Sequence, residues 1–242
     1  MARKTTLLIA ISLITSLLSP AIGRSFVLPA SQIIEFMTKR FEGLKALRIT
    51  QLTIVKDMDQ DMERALGEII EVVSPDSYRS EVVGQPGTRL TIHSGSRTLK
   101  IVDNRLASES EGNDFLYRFL LLDQTPARVQ NKLRSMGIDI GKVSLTRLDG
   151  TVAYVIGEKE GDNPRLIVDK ERFLPLLLRY GNASFRFSDY NEIMEGTWYP
   201  YHIVFSSYGN IVEEYMAKEI TANPPVDITQ FSIPLIKSQF RE

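Results

Sequence analysis

Between Arg165 and Phe205 the chain reads RLIVDKERFLPLLLRYGNASFRFSDYNEIMEGTWYPYHIVF, and this stretch restricts the fold more than any other. Short apolar and aromatic runs are cut by tight-turn residues. Gly181-Asn182 separates LLLRY from ASFRF, and Glu195-Gly196-Thr197 precedes WYPYHIVF. Glycine and asparagine supply the positive φ angles that hairpin turns require. The spacing predicts successive antiparallel strands.

The same grammar recurs elsewhere. LGEIIEVV, SYRSEVV, TRLTIHS and RTLKIVD are strand-like runs within 65–106, parted by Ser74-Pro75-Asp76, Gln85-Pro86-Gly87 and Gly95-Ser96. Asp149-Gly150 joins Val143–Leu148 to Thr151–Ile156, and Gly209-Asn210 leads into Ile211–Thr221. Arg48–Val55 adds one more. The total is about ten or eleven runs, a wide antiparallel sheet that has to curl. In WYPYHIVF, alternation puts Trp198, His202 and Val204 on one side and Tyr199, Tyr201, Ile203 and Phe205 on the other. The second side is the more apolar and is expected to be covered, which makes Trp198 a structural anchor. The tail NPPVDITQFSIPL is expected to cross the fold on Phe231 and Leu235, with Pro224 and Pro225 excluding a central strand.

Helical period appears in two places. Pro29–Leu47, with Ser31 as its N-cap, carries a stripe of Ile33, Ile34, Met37, Phe41 and Leu44. Asn113–Gly137 holds a short helix crowded with Phe115, Leu116, Phe119, Leu120 and Leu122. A second helix then starts at Thr125-Pro126, bears Val129, Leu133 and Met136, and ends at Gly137. The first of this pair is unusually apolar. A lid over a cavity and a plug in a core use the same residues, so both readings stand. Apolar stripes of this kind must cover one face of the sheet.

The 242 residues include no cysteine and only two histidines, His93 and His202. This removes disulfides, thiol nucleophiles and Cys-ligated zinc, and leaves little for histidine-based triads. His93 reads as a rim residue beside a turn. Asp57–Glu63 alternates acidic residues like a calcium loop, but Met62 stands where that loop needs glycine, so it reads as a solvated hairpin tip. No metal or other cofactor is expected. A net charge of −1 gives no basic surface for nucleic acid.

The first residues read as a targeting segment. Arg3 and Lys4 precede the short apolar run Leu7–Leu18, and Ala21 and Gly23 offer a cleavage site after Gly23. The expected organisation is a signal peptide over 1–23 and a single domain over 24–242, with a helical insertion near 107–140. No cysteine follows the apolar run, so a lipid-anchored N-terminus is not expected, and a secreted, periplasmic protein is.

The order of these elements resembles the LolA/LolB-like superfamily. The resemblance rests on Gly67-Glu68-Ile69-Ile70 before Ser74-Pro75, and on the Leu90–Leu99 hairpin with Gly95. It continues with Asp169 before Leu174-Pro175-Leu176, Gly196-Thr197-Trp198-Tyr199-Pro200, and Asn223-Pro224-Pro225 before Phe231-Ser232-Ile233-Pro234. The chain departs from LolA proper at Ser74, where LolA carries an arginine that holds its lid helices, and from LolB in lacking an acylated cysteine. It is similar to divergent outer-membrane lipoprotein-sorting proteins.

The resemblance implies an α+β fold, an unclosed half-barrel with helices covering the concave face. It also implies carriage of an acylated lipoprotein or a lipid through the periplasm toward the outer membrane. An inner-membrane export complex and an outer-membrane acceptor would be its partners. Each methylene kept from water is worth about 0.8 kcal/mol, so such a carrier needs an apolar cavity and no chemistry. The cavity is expected to use Ile33, Met37, Phe41, Phe115, Leu116, Phe119 and Leu120 from the helices, facing Leu90, Ile92, Leu99 and Ile101 from the sheet. Two other readings compete. An RseB-like lipid sensor would use the same sheet but carries a second domain. An enzyme would need pairs such as Asp189 with Glu192, or Glu213 with Glu214, to converge.

Overall fold

The computed structural model describes residues 27–57, 62–83, 88–111 and 117–240. The signal segment, Phe115 and Leu116 lie outside them. So do the middle of the acidic alternation and the Gln85-Pro86-Gly87 turn.

One antiparallel sheet of 13 strands dominates. The first six run in sequence as β1 (Ala46–Asp57), β2 (Met62–Val73), β3 (Ser77–Val83), β4 (Arg89–Ser94), β5 (Arg97–Val102) and β6 (Arg105–Glu111). The other seven are β7 (Val143–Leu148), β8 (Thr151–Gly157), β9 (Arg165–Asp169), β10 (Pro175–Tyr180), β11 (Ala183–Met194), β12 (Thr197–Ser207) and β13 (Asn210–Ala222). Each set is a meander. β1 pairs with β13, from Leu47 opposite Ala222 to Val55 opposite Glu213, and this joins the two sets. β6 and β7 stay unpaired with one another, so the sheet is an unclosed half-barrel.

The sheet is wider than the sequence suggests because β6, RLASESE, has no apolar run to betray it. Its polarity suits an edge, where charged and small polar side chains discourage pairing with another chain.

Among the described residues four α-helices accompany the sheet: α1 (Ala30–Lys39), α2 (Phe119–Leu122), α3 (Pro126–Ser135) and α4 (Ile233–Gln239). α1 starts from Pro29, whose extended backbone precedes the first turn and whose carbonyl accepts from the amides of Gln32 and Ile33. Ser31 lies inside the helix and is not its cap. The helix also ends earlier than its stripe, because Gly43 at φ +84° turns the chain into β1. α3 begins as expected, with Thr125 at the cap and Pro126 in the first turn, and Gly137 at φ +81° follows its end.

The stripe of α1, the leucines of α2, and Val129 and Leu133 of α3 form one core with the concave face of the sheet. Ile49, Ile70, Tyr154, Ile156, Leu166, Val168, Phe185 and Ile203 are among the strand residues that belong to it. Tyr199 and Ile203 are buried there, as the alternation in β12 predicts.

The tail corrects another expectation. Residues 228–240 form a 3-10 turn and then α4, which packs on the opposite face of β4 and β5. Phe231 is buried, but Leu235 is 45% exposed and the anchors are Ile233 and Ile236. A three-residue step places those two isoleucines on one helix face, with Leu235 on the other.

Candidate functional site

The helices do not cover the whole concave face. Beside the part that they fill lies a cavity of about 550 Å³, lined by the halves of strands next to the β1–β2, β10–β11 and β12–β13 turns. Its two walls differ in character.

One wall is aromatic. Tyr180, Phe185, Phe205 and Tyr215 line it from β10 to β13. Phe185 and Phe205 stack at 4.8 Å with their planes 13° apart, and Phe185 also lies 4.8 Å from the buried Tyr117. Strand pairing dictates this group: Phe185 stands opposite Phe205, and Tyr180 opposite Ala183. Ala183 lines the cavity as well, and its small side chain leaves the space open.

The floor and the other wall are mixed, with Val55, Leu66, Val102 and Ala107 beside a set of polar side chains. Gln51 Nε2 donates to Glu68 Oε2 at 3.0 Å, Thr53 Oγ1 donates to the same oxygen at 2.5 Å, and Ser80 Oγ donates to Oε1 at 3.2 Å. Donors on β1 and β3 thus fix one carboxylate of β2. Thr91 and Lys100 face each other across β4 and β5, and Arg89 is the next residue on that face toward the strand end. Glu213 completes the lining and accepts the hydroxyl of Tyr215. Burial pushes the Tyr215 phenol well above its ordinary pKa, and the charge of Glu213 adds to the shift.

A second cleft, of about 390 Å³, lies where α2 and α3 meet the β2–β3 turn. Tyr78 lines both spaces. The guanidinium of the buried Arg118 sits 4.5 Å above the Tyr78 ring and 5.2 Å from that of Tyr117, a cation–π arrangement that joins the turn before α2 to the sheet. Burial raises the Tyr78 phenol to about 12, against an opposing contribution from Arg118.

Other contacts fasten the helical segment. Arg128 of α3 pairs with Asp76 at 3.2 Å and with Asp123 at 2.9 Å. Gln124 Nε2 donates to the Leu44 carbonyl at 2.6 Å. Ser74 Oγ donates to the Leu122 carbonyl at 3.2 Å.

The residues expected to line the cavity fall into distinct places. Ile33, Met37, Phe41 and Leu120 belong to the filled core under the helices. Phe119 lines the smaller cleft. Leu90, Ile92, Leu99 and Ile101 do not face the helix stripes: Ile92, Leu99 and Ile101 form a separate cluster with Ile233 and Ile236, and Leu90 packs against it. The side chains of a strand alternate between faces, so Thr91 and Lys100 occupy the concave side instead. His93 shares that side. It is 3% exposed and hydrogen-bonds with Thr98 at 3.0 Å, which corrects its reading as a rim residue.

Sequence reasoning missed the aromatic wall and the Glu68 group. The alternation in β12 already placed Phe205 on the covered side. A parity reading of β4 and β5 needed the position of α4 to say which face was inside. Among the described residues no group of three acidic, histidine or cysteine side chains could hold a metal, and no helix is long and apolar enough to cross a membrane.

No protein-family model matches the sequence, and no curated protein matches it either. Solved structures do match the fold. A domain assigned to outer-membrane lipoprotein sorting, from Vibrio parahaemolyticus, aligns with a TM-score of 0.56 at 13% identity over 86% of this chain and 97% of its own. A LolA superfamily protein from Nitrosomonas europaea gives 0.55 at 10% identity over 86% and 99%. A DUF1329 family protein from Desulfovibrio piger gives 0.53 at 12% identity over 87% and 100%. The fold is LolA-like.

Proposed function

We propose that this protein is a carrier that takes the acyl chain of a lipoprotein or a lipid into the concave cavity and holds it away from water. The cavity carries the proposal. Its volume of about 550 Å³ lies within the roughly 300–1,000 Å³ typical of sites for small organic ligands. Its aromatic wall offers broad contact without chemical selectivity. The LolA-like fold, and the name of the Vibrio parahaemolyticus domain, support a place for the carrier in periplasmic lipoprotein or lipid traffic. In that role an inner-membrane export complex would load it and an outer-membrane acceptor would unload it. The reading assigns no catalytic step.

The test is mass spectrometry of an organic extract from protein purified from the periplasm without detergent. We expect stoichiometric lipid or acylated peptide in the wild type. In Ala183→Trp the indole occupies the cavity beside Phe185 and Tyr180, and the extracted lipid is expected to disappear while the protein stays folded. Equal lipid in both proteins, or none in repeated wild-type preparations, would remove the cavity as the carrier site.

A further inference from the structure

We propose that the open end of the half-barrel is a docking surface for a phospholipid bilayer, centred on the β12–β13 turn at Tyr208. This extends the carrier reading, since the surface adjoins the cavity, but it stands on other residues and has its own test.

The argument starts from topology. The β1–β2, β3–β4, β5–β6, β10–β11 and β12–β13 turns all fall at one end of the sheet. Large apolar side chains that stay exposed are few among the described residues, and most of them gather at this end: Met62, Val83, Val102, Leu106, Tyr208 and Ile211. Single exposed apolar residues are ordinary, whereas a set gathered at one end of a molecule marks a contact surface. Val102 both lines the cavity and is 39% exposed, so the cavity wall continues into this rim.

Tyr208 is the strongest sign. It is 77% exposed, and at φ +51° it holds a left-handed conformation that is costly for a bulky residue. The β5–β6 and β10–β11 turns of the same end give such angles to Asp103, Asn104 and Gly181, residue types that tolerate them. A tyrosine that strains its own turn and stands mostly in solvent adds little to the fold. Its use lies outside the molecule. An amphipathic ring at a turn tip suits the boundary between head groups and acyl chains, where tyrosine is favoured.

Exposed arginines stand among the apolar tips. Arg64 is the cross-strand partner of Val55, and Arg89 and Arg105 flank Val102. The stems of such side chains lie along apolar surface while the guanidinium reaches head-group phosphates. The tips stand on separate turns, which suits a fluid surface that moulds around them better than the fixed shape of a protein partner. An acyl chain would then pass between bilayer and cavity without crossing water.

Flotation of the protein purified from the periplasm, with vesicles of phosphatidylethanolamine and phosphatidylglycerol, tests this. We expect the protein to float with the vesicles. Tyr208→Asn relieves the turn and removes the ring, so its urea midpoint should equal or exceed that of the wild type while vesicle affinity falls about tenfold. Arg105→Gln should weaken binding about fivefold, a loss that shrinks as salt rises. The chain has no cysteine, so single cysteines report orientation. A nitrobenzoxadiazole dye on Asn210→Cys should brighten when vesicles are added, and the same dye on Glu195→Cys, at the opposite end of the sheet, should not. Absence of flotation by folded protein would overturn the bilayer as partner and leave the rim to a protein acceptor. Equal brightening at both ends, or undiminished affinity of Tyr208→Asn, would overturn the surface assigned here. The lipid extract is a separate readout: stoichiometric lipid without flotation would overturn this inference and keep the carrier reading, and flotation without lipid would do the reverse.

Discussion

Asn223 closes the seam between the two meanders. Its Oδ1 accepts from the amides of Lys45 at 2.7 Å and Ala46 at 3.2 Å, and its Nδ2 donates to the Gly43 carbonyl at 2.9 Å. Its backbone has φ +50°, a conformation that asparagine tolerates better than most residues. The sequence shows Asn223 only as the residue before two prolines. Its partners lie at the other end of the chain, and local pattern carries no trace of them. Asn223→Ala loses the bonds and keeps the unfavourable backbone angle, so a loss of about 1–3 kcal/mol is expected from urea unfolding with an unchanged slope. Asn223→Gly should recover part of that loss because glycine adopts positive φ freely. Equal stability of the two variants would place the whole effect in the side-chain bonds.

Elements were legible wherever the apolar period was clean. The hairpins at Asp149-Gly150 and Gly181-Asn182 form as their turn residues require, and the stripe of α1 faces the core, whereas the last hairpin turns one residue earlier than expected, at Tyr208-Gly209, with Asn210 already in β13. What the alternation of β4 and β5 could not state was its sign. Leu90, Ile92, Leu99 and Ile101 make an apolar face, and nothing local says whether the lid or another element covers it. The cover is α4, hidden in a tail whose prolines suggested an extended crossing. Because that cluster lies on the face away from the cavity, it should affect stability and not binding. Ile233→Ala, which removes a side chain 3% exposed from the cluster with Ile92, Leu99 and Ile101, is expected to lower unfolding stability by about 2–4 kcal/mol. Affinity of the folded fraction for the apolar dye Nile red should not change. A loss of dye binding in step with stability would link α4 to the cavity.

At the scale of the molecule, a sheet of this width has more concave surface than its helices can cover. The filled part becomes a core and the remainder a cavity, and many tyrosines sit where the two meet. The likeness in order of elements pointed to the half-barrel, but the division between plug and cavity depends on packing among distant strands. Those phenols make stability depend on alkaline pH. Tyr78, Tyr117 and Tyr199 are buried, and burial raises the pKa of each, to about 12 for Tyr78. In the unfolded chain a phenol titrates near pH 10. Below that value both states keep the proton and the stability is fully present. Above it the unfolded chain releases protons that the folded chain retains, so each such phenol removes about 1.4 kcal/mol per pH unit until its folded pKa is passed. Several phenols acting together should unfold the protein cooperatively above pH 10, with phenolate absorbance at 295 nm and loss of circular dichroism rising in one transition. A smooth phenolate titration with the native spectrum intact would mean that solvent reaches these rings through the cavity, and would count against a dry boundary between cavity and core.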